Sequence, residues 1–278
     1  MKIGAIVQAR VSSKRLPGKV LKELPYGSGI TVLEQIIRRL KRAKKIDEII
    51  VATSTKKCDD EIGRIAVKEK VKCSRGSQEN VLSRYYLAAR ENKLDVVLRI
   101  TGDCPCIDPE IVDLTVKRHI QTKADYTSNS LKRTYPVGLD VEIINFDVLG
   151  TAYKKSTLYY EKEHVTPYIY NHPDIFKITK VEAPKKIYAP DIRVTLDTEE
   201  DYFLLCVLFD YIYLKKPYFN AYDIVKFFKE KPWLEIINKK TAQKKIFTSL
   251  KGEINEAIKI LDLQDLKRAK QILQALLK

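Results

Sequence analysis

Residues 3–21 read IGAIVQARVSSKRLPGKVL, and this stretch decides the fold. Ile3-Gly4-Ala5-Ile6-Val7 has the length and composition of a fully buried central strand. The chain then changes character: Gln8, Arg10, Ser12, Ser13, Lys14, Arg15 and Lys19 follow, punctuated by Pro17 and Gly18. On open α/β sheets ligands bind beyond the carboxyl ends of the strands. A strand emptying into a cationic loop is the layout of a phosphate site there, with Arg supplying forked donors and Lys a mobile point charge. A basic surface loop between a strand and a helix explains the same residues, and spacing alone does not separate the two. The segment is neither GxxxxGK[ST] nor GxGxxG, which disfavours a standard P-loop ATPase or an NAD enzyme.

The pattern QARxxSxRLPGKxL stands here as Gln8-Ala9-Arg10, Ser13, Arg15-Leu16-Pro17-Gly18-Lys19 and Leu21. It resembles the signature of the sugar-nucleotide cytidylyltransferases, the group of the CMP-KDO and CMP-acylneuraminate synthetases. The likeness is strongest to their spore-coat polysaccharide, or SpsF-type, branch. The resemblance implies a nucleotide-diphospho-sugar transferase-like, Rossmann-type fold, CTP as co-substrate, Mg²⁺ and a homodimer. It assigns Arg10, Arg15 and Lys19 to catalysis, and Gln8, Ala9, Arg10, Ser13 and Lys19 to nucleotide binding.

At 278 residues the chain can bury one large α/β core, or one core and a small appendage. No apolar run is long enough to span a bilayer, and Met1-Lys2 leads straight into the first strand without a signal-peptide layout, so a cytoplasmic address is expected. Five cysteines in a chain of this length form no disulfide framework. Cys104-Pro105-Cys106, with no second pair and no nearby His, is a poor zinc site. The net charge of +15 raises nucleic acid as a partner. Residues 239–278 alone carry ten Lys/Arg against four Asp/Glu, and the rest of the surplus is dispersed. A solvated, lysine-rich surface accounts for it without nucleic acid.

Along the chain, Thr31 and Glu34 form a capping box before an amphipathic helix carrying Leu33, Ile36, Ile37 and Leu40. A second strand is expected at Glu48–Ala52, a helix near Asp59–Lys70 and a short strand at Val71–Cys73. This β-α-β-α alternation predicts a doubly wound, mostly parallel sheet. Ser74-Arg75-Gly76-Ser77 then opens the next helix, where free backbone N–H groups suit an anion or a nucleotide, although a capped helix explains them equally. The segment is similar to RGSxEDVLxR of the same branch, with Asn80 in place of its Asp. On that likeness Arg75, Gly76, Ser77, Val81 and Arg84 are nucleotide-binding.

Leu94–Ile100 reads as a buried strand ending in Thr101-Gly102-Asp103-Cys104-Pro105. A carboxylate there suits a Mg²⁺ held against a triphosphate, or a turn. The resemblance assigns Asp103, in its GDxP motif, to the metal, and Thr101 and Gly102 to the nucleotide. Asp140 and Glu142 fall on one face of a strand by the two-residue period. With Asn129, His164 and Tyr168 they are candidate contacts to a polar acceptor. Glu161–Ile169 is similar to REHVTPYI of the branch, with Lys162 replacing its Arg. Phe176–Val181 reads as a strand. Asp191–Asp197 alternates like one and is followed by a helix capped by Thr198. RxTxDTxED matches the family's second signature, and the resemblance makes Asp197 the other metal ligand. Beyond Asn220 the sequence reads as helical. A final helix bears the apolar stripe Ile254, Ile258, Leu261, Leu266, Ile272, Leu273 and Leu276.

Together these readings predict a nucleotidyltransferase domain over 1–238, with an acceptor and dimerisation region near 125–195, and a helical extension over 239–278. The expected activity is transfer of CMP from CTP to a sugar acid or related acidic acceptor, with release of pyrophosphate. A nucleotide-sugar-dependent glycosyltransferase would release no pyrophosphate. A nucleic-acid-binding protein would need no CTP and would show salt-dependent binding.

Overall fold

The structure, a computed structural model, describes residues 1–13, 15–239 and 249–277. Lys14 of the cationic run lies outside the described residues. The chain divides into two compact units, Met1–Thr241 and Ala242–Lys278.

The first unit is built on a seven-stranded sheet whose order is β3-β2-β1-β4-β6-β5-β7. The opening apolar run is β1 (Ile3–Gln8), and it is central. It pairs in parallel with β2 (Glu48–Ser54) and β4 (Val96–Thr101), and β3 (Lys72–Gly76) joins β2, also in parallel. The connections are α1 (Val32–Leu40), α2 (Asp60–Lys68) and α3 (Val81–Glu91). Beyond β4, α4 (Pro109–Thr122) leads to β5 (Tyr126–Ser128) and β6 (Glu142–Asn145). β6 lies antiparallel between β4 and β5. Next come α5 (Phe146–Lys155), α6 (Tyr159–His164), α7 (Pro167–Tyr170) and β7 (Ile178–Lys180), which pairs in parallel with β5. The unit closes with α8 (Glu199–Leu208), α9 (Ala221–Glu230) and α10 (Leu234–Asn238).

Period-two alternation on β1 explains the double winding. Ala5 and Val7 join the apolar cluster formed with α1, α4 and α8, whereas Ile6 joins the cluster formed with α3, α5 and α7. Caps start the helices where the sequence places them. Thr31 and Glu34 exchange bonds at α1, Asp108 precedes Pro109 at α4, and Thr198 pairs with Asp201 at α8. Arg39, only 1% exposed, donates to the carbonyls of Ile107, Pro217 and Phe219 and so ties α1 to the turn that follows β4.

Four expectations are corrected. β3 runs on through Arg75 and Gly76, paired with Thr53 and Ser54, so the turn into α3 begins only at Ser77. Asp140 is not in a strand. Gly138 adopts φ +104, and Val137 leaves the sheet to bridge Arg193, so β6 starts at Glu142. Residues 191–197 are extended but belong to no sheet strand. Val194 N donates to the Val137 carbonyl, and Leu196 N to that of Asp103. In the second unit the expected single helix is two, α11 (Leu250–Leu263) and α12 (Lys267–Ala275), broken where Asp265 takes φ +58.

Gly102 closes the sheet at its carboxyl edge. Its N–H donates to the Gln8 carbonyl at 2.8 Å, and a Cβ there would stand 2.7 Å from that oxygen and 3.2 Å from the Ala9 Cα. Gly102→Ala must force β1 and β4 apart, an overpacking cost of about 1–3 kcal/mol in urea denaturation. Gly63→Ala, in α2 with nothing within 4 Å of an added Cβ, serves as the control and is expected to be neutral or to gain about 1 kcal/mol. Equal effects from the two would refute the close-approach argument.

Candidate active site

The carboxyl ends of β1 and β4 deliver the cationic loop and the Thr101-Gly102-Asp103 turn side by side, because Gln8 and Thr101 are register partners. Asp103 is then the anchor for the distant 191–197 segment. Its carbonyl accepts from Leu196 N at 2.8 Å and from the Thr195 hydroxyl at 3.1 Å. These bonds bring Asp197 to the same spot.

The Lys19 ammonium lies between the two acids, 2.7 Å from Asp103 Oδ2 and 2.9 Å from Asp197 Oδ1. Arg15 Nη2 and Arg193 Nη2 reach Asp197 Oδ2 at 3.1 and 2.9 Å. Burial opposes charge on Lys19, yet the two carboxylates overcome it and hold the ammonium above its usual pKa. Burial would likewise raise the Asp103 carboxyl, but Lys19, Thr101 and Cys104 pull it from 3.8 down to about 2.

The donor set suits a divalent ion. Two carboxylates converge on a point held by an ammonium cation, and hard oxygen ligands of this number suit Mg²⁺, whose remaining positions go to phosphate and water. Among the described residues no group of three or more His, Cys, Asp and Glu offers a fuller cage.

The other expected residues fall into separate groups. Arg10 does not reach the carboxylate pair. It turns to the Gln78 carbonyl at 3.3 Å and to Glu163 Oε1 of α6 at 3.0 Å. Arg84, buried at the start of α3, donates to the carbonyls of Ser77 and Gln78, while its Nε and Nη2 have no partner. Burial and the nearby Arg10 lower its pKa. Val81 is buried as the first residue of α3, and the Ser77 hydroxyl accepts from Asn80 N. Asn80 caps α3 through Ser83 N, as an Asp would. The Ala9 side chain is buried and its N–H donates to the Ala52 carbonyl, while Ser13 Oγ accepts from Leu16 N.

Arg75 is occupied elsewhere. Its guanidinium binds the Ser54 and Lys56 carbonyls and Asp60, strapping the β2–α2 turn because β3 carries it outward beside that turn. Asn129 is fully buried, donating to the Leu139 carbonyl and accepting from Val141 N, so it braces the 129–141 loop and offers nothing to an acceptor. Glu142 is similarly spent on Arg99, the Tyr126 hydroxyl and the Thr166 hydroxyl. Asp140 forks with Arg133. Burial raises its pKa against the pull of Arg133, and the charges of Glu142 and Asp103 add to the rise. His164 ends α6, and Tyr168 packs against His172 and Phe176.

Several participants had escaped the sequence reading. Asp59 was read as the start of a helix, but it accepts from Val11 N at 2.8 Å and so moors the cationic loop. Arg133 and Asn238 carried no periodic or motif signal.

The folded Asp103 carboxyl titrates below its ordinary 3.8, so its contribution to stability is present above that pH and is lost as pH falls through about 2. Asp103→Asn is expected to flatten this limb in urea denaturation, removing about 2 kcal/mol of the wild-type loss. Superimposable acid limbs would refute the pairing with Lys19.

A profile described as Cytidylyltransferase matches residues 4–249. The spore coat polysaccharide biosynthesis protein SpsF of Bacillus subtilis is 37% identical over 202 residues, which cover 71% of this chain and 82% of that protein. A 3-deoxy-manno-octulosonate cytidylyltransferase of Chlamydia trachomatis is 27% identical over 207 residues, 70% of this chain and 77% of that one. The solved structure of a cytidylyltransferase from Leptospira borgpetersenii superposes with a TM-score of 0.78 at 32% identity, covering 89% of this chain and 99% of that chain. With these likenesses on a parallel sheet whose carboxyl edge gathers two acids and their cations, the chain belongs to the cytidylyltransferase family, as an enzyme of nucleotidyl transfer.

Proposed function

We propose that the protein transfers CMP from CTP to a sugar acid or related acidic acceptor, releasing pyrophosphate. The observation that carries this reading is the Lys19 ammonium between Asp103 and Asp197, with Arg15 beside it. The acceptor class is supported by the octulosonate named for the Chlamydia relative, and a place in surface polysaccharide synthesis by the name of the Bacillus one. No helix among the described residues is long and apolar enough to cross a membrane. A cytoplasmic homodimer belongs to the same reading.

The acceptor hydroxyl oxygen attacks the α-phosphorus. A P–O bond forms, the bond to the bridging oxygen of the β-phosphate breaks so that pyrophosphate leaves, and the hydroxyl proton passes to solvent water. Arg15 and Lys19 sit where they can turn from Asp197 and Asp103 to the departing pyrophosphate, stabilising its charge from fixed positions. Asp103 and Asp197 would hold a Mg²⁺, which would supply orientation and charge neutralisation for the triphosphate. Arg10, tied to Gln78 and Glu163, holds the loop after β1 against the turn into α3. Beside that turn Arg84 Nε and Nη2 and Gln78 Oε1 are buried without protein partners, donors and an acceptor that a cytosine edge would complement once the turn opens to it. Arg133 and Asp140, a pair close enough to Asp103 for its charge to act on Asp140, are polar groups for the acceptor to meet.

Two measurements test this. Asp103→Ala and Asp197→Ala should each cut pyrophosphate release from CTP at least about a hundredfold while the circular dichroism spectrum is retained; wild-type turnover in either removes the metal assignment. In a thermal-shift screen with Mg²⁺, CTP should raise the melting temperature more than ATP, GTP or UTP. A larger shift with another nucleotide would replace cytosine as the base.

A further inference from the structure

Asp103 and Asp197 are supported in different ways. Asp103 is steadied by neighbours in its own turn, with the Cys104 thiol 3.6 Å from Oδ1. Asp197 is backed by a chain of buried groups reaching to α10. Asp201, fully buried in the first turn of α8, accepts from Arg193 Nε and Nη2, both at 2.9 Å. Its Oδ2 also takes the N–H groups of Asp197 at 3.0 Å and Thr198 at 3.2 Å. Its Oδ1 accepts from Asn238 Nδ2 at 2.8 Å, and Asn238 Nδ2 lies 3.2 Å from the Arg193 carbonyl as well. Arg193 Nη2 then completes the line by donating to Asp197 Oδ2.

We infer that Asn238, acting through Asp201 and Arg193, is a positioning residue that fixes which oxygen Asp197 presents to the divalent ion. The inference rests on the reading of Asp197 as a metal-binding carboxylate. A carboxylate on an extended segment turns freely about its side-chain bonds unless something holds one oxygen. Here the planar guanidinium grips Asp201 through two nitrogens in a fixed fork and reaches Asp197 from the same plane, an orientation that an ammonium on a flexible stem does not impose. Oδ2 is thereby engaged, and Oδ1 faces the point now held by Lys19. Arg193 can hold that angle only if its own plane is fixed. Asp201 grips two of its nitrogens, and Asn238 holds both Asp201 and the Arg193 backbone. Asn238 is 6% exposed and touches neither Asp103 nor Lys19, so its effect on the site passes through this line.

A strut that merely joins α10 to α8 would affect stability without singling out the metal. The test therefore compares two affinities. Water-proton relaxation by Mn²⁺ reports binding of Mn·CTP, and calorimetry in EDTA reports binding of CTP alone. Asn238→Ala and Arg193→Lys are each expected to weaken Mn·CTP about tenfold, the usual effect of losing a group that orients a ligand, with CTP alone unchanged. Arg193→Lys keeps the charge and surrenders the fork, so it carries the comparison if Asn238→Ala fails to fold. Asp197→Asn is the control for the underlying reading. If it weakens Mn·CTP while Asn238→Ala and Arg193→Lys do not, or if they weaken both affinities equally, the positioning role is overturned alone. If Asp197→Asn leaves Mn·CTP unchanged, the metal assignment falls and takes this inference with it.

Discussion

The bond from Leu196 N to the Asp103 carbonyl is the constraint on which the site depends. Asp103 leaves a central strand, whereas Asp197 lies on a segment that joins no sheet, so nothing in the parallel ladder brings them together. That bond, with the Thr195 hydroxyl on the same oxygen and the Val137–Arg193 bridge behind it, lays residues 192–197 along the turn after β4. Only then can one ammonium touch both acids. Arg39 fixes the far side of the same turn through the Ile107 carbonyl and ties it to the segment before α9 through the Pro217 and Phe219 carbonyls. The site thus rests on backbone groups satisfied at one place, since buried carbonyls and amides left unpaired are costly.

Charge is balanced within the cluster. Asp103, Asp197 and Asp201 face Lys19, Arg15 and Arg193, so the signs cancel locally although the chain as a whole is strongly basic. On the proposed reading, a bare triphosphate or a bare divalent ion would each upset this balance, and the two entering as a pair would disturb it least. Six of the fifteen surplus positive charges fall in residues 239–278 of the sequence.

What the sequence made legible was what local pattern encodes. An apolar run followed by abrupt cations marked β1 and its loop, and caps marked α1, α4 and α8, because both signals lie within a few residues. The pairing of Asp103 with Asp197 came from family likeness, not from spacing; a contact across so much chain leaves no periodic trace. Polar residues are where the letters hide the partners that the fold supplies. Asn129 and Glu142 look available in a string of letters, yet the fold consumes them on Leu139, Val141, Arg99 and Tyr126. Arg75 was misplaced because a strand ending in Ser-Arg-Gly has no apolar signal to carry it that far. Asn238 was invisible for a different reason. A single amide on a short helix matters only through its two partners.

The reversed direction of β6 has one more consequence. Since β6 runs against β4 and β5, the loop 129–141 leaves from the end of β5 and returns at the start of β6, with both feet on the edge where Asp103 stands. It carries Arg133, which reaches back to Asp140 beside the foot at β6, while its root is pinned by Asn129. Residues 134–141 are tied into the core and to Arg193, so the stretch that can be rewritten without altering the register of a strand is 130–133. On the proposed reading, exchange of that short stretch would alter the preference for the acceptor while the pairing of Asp103 with Asp197 is kept.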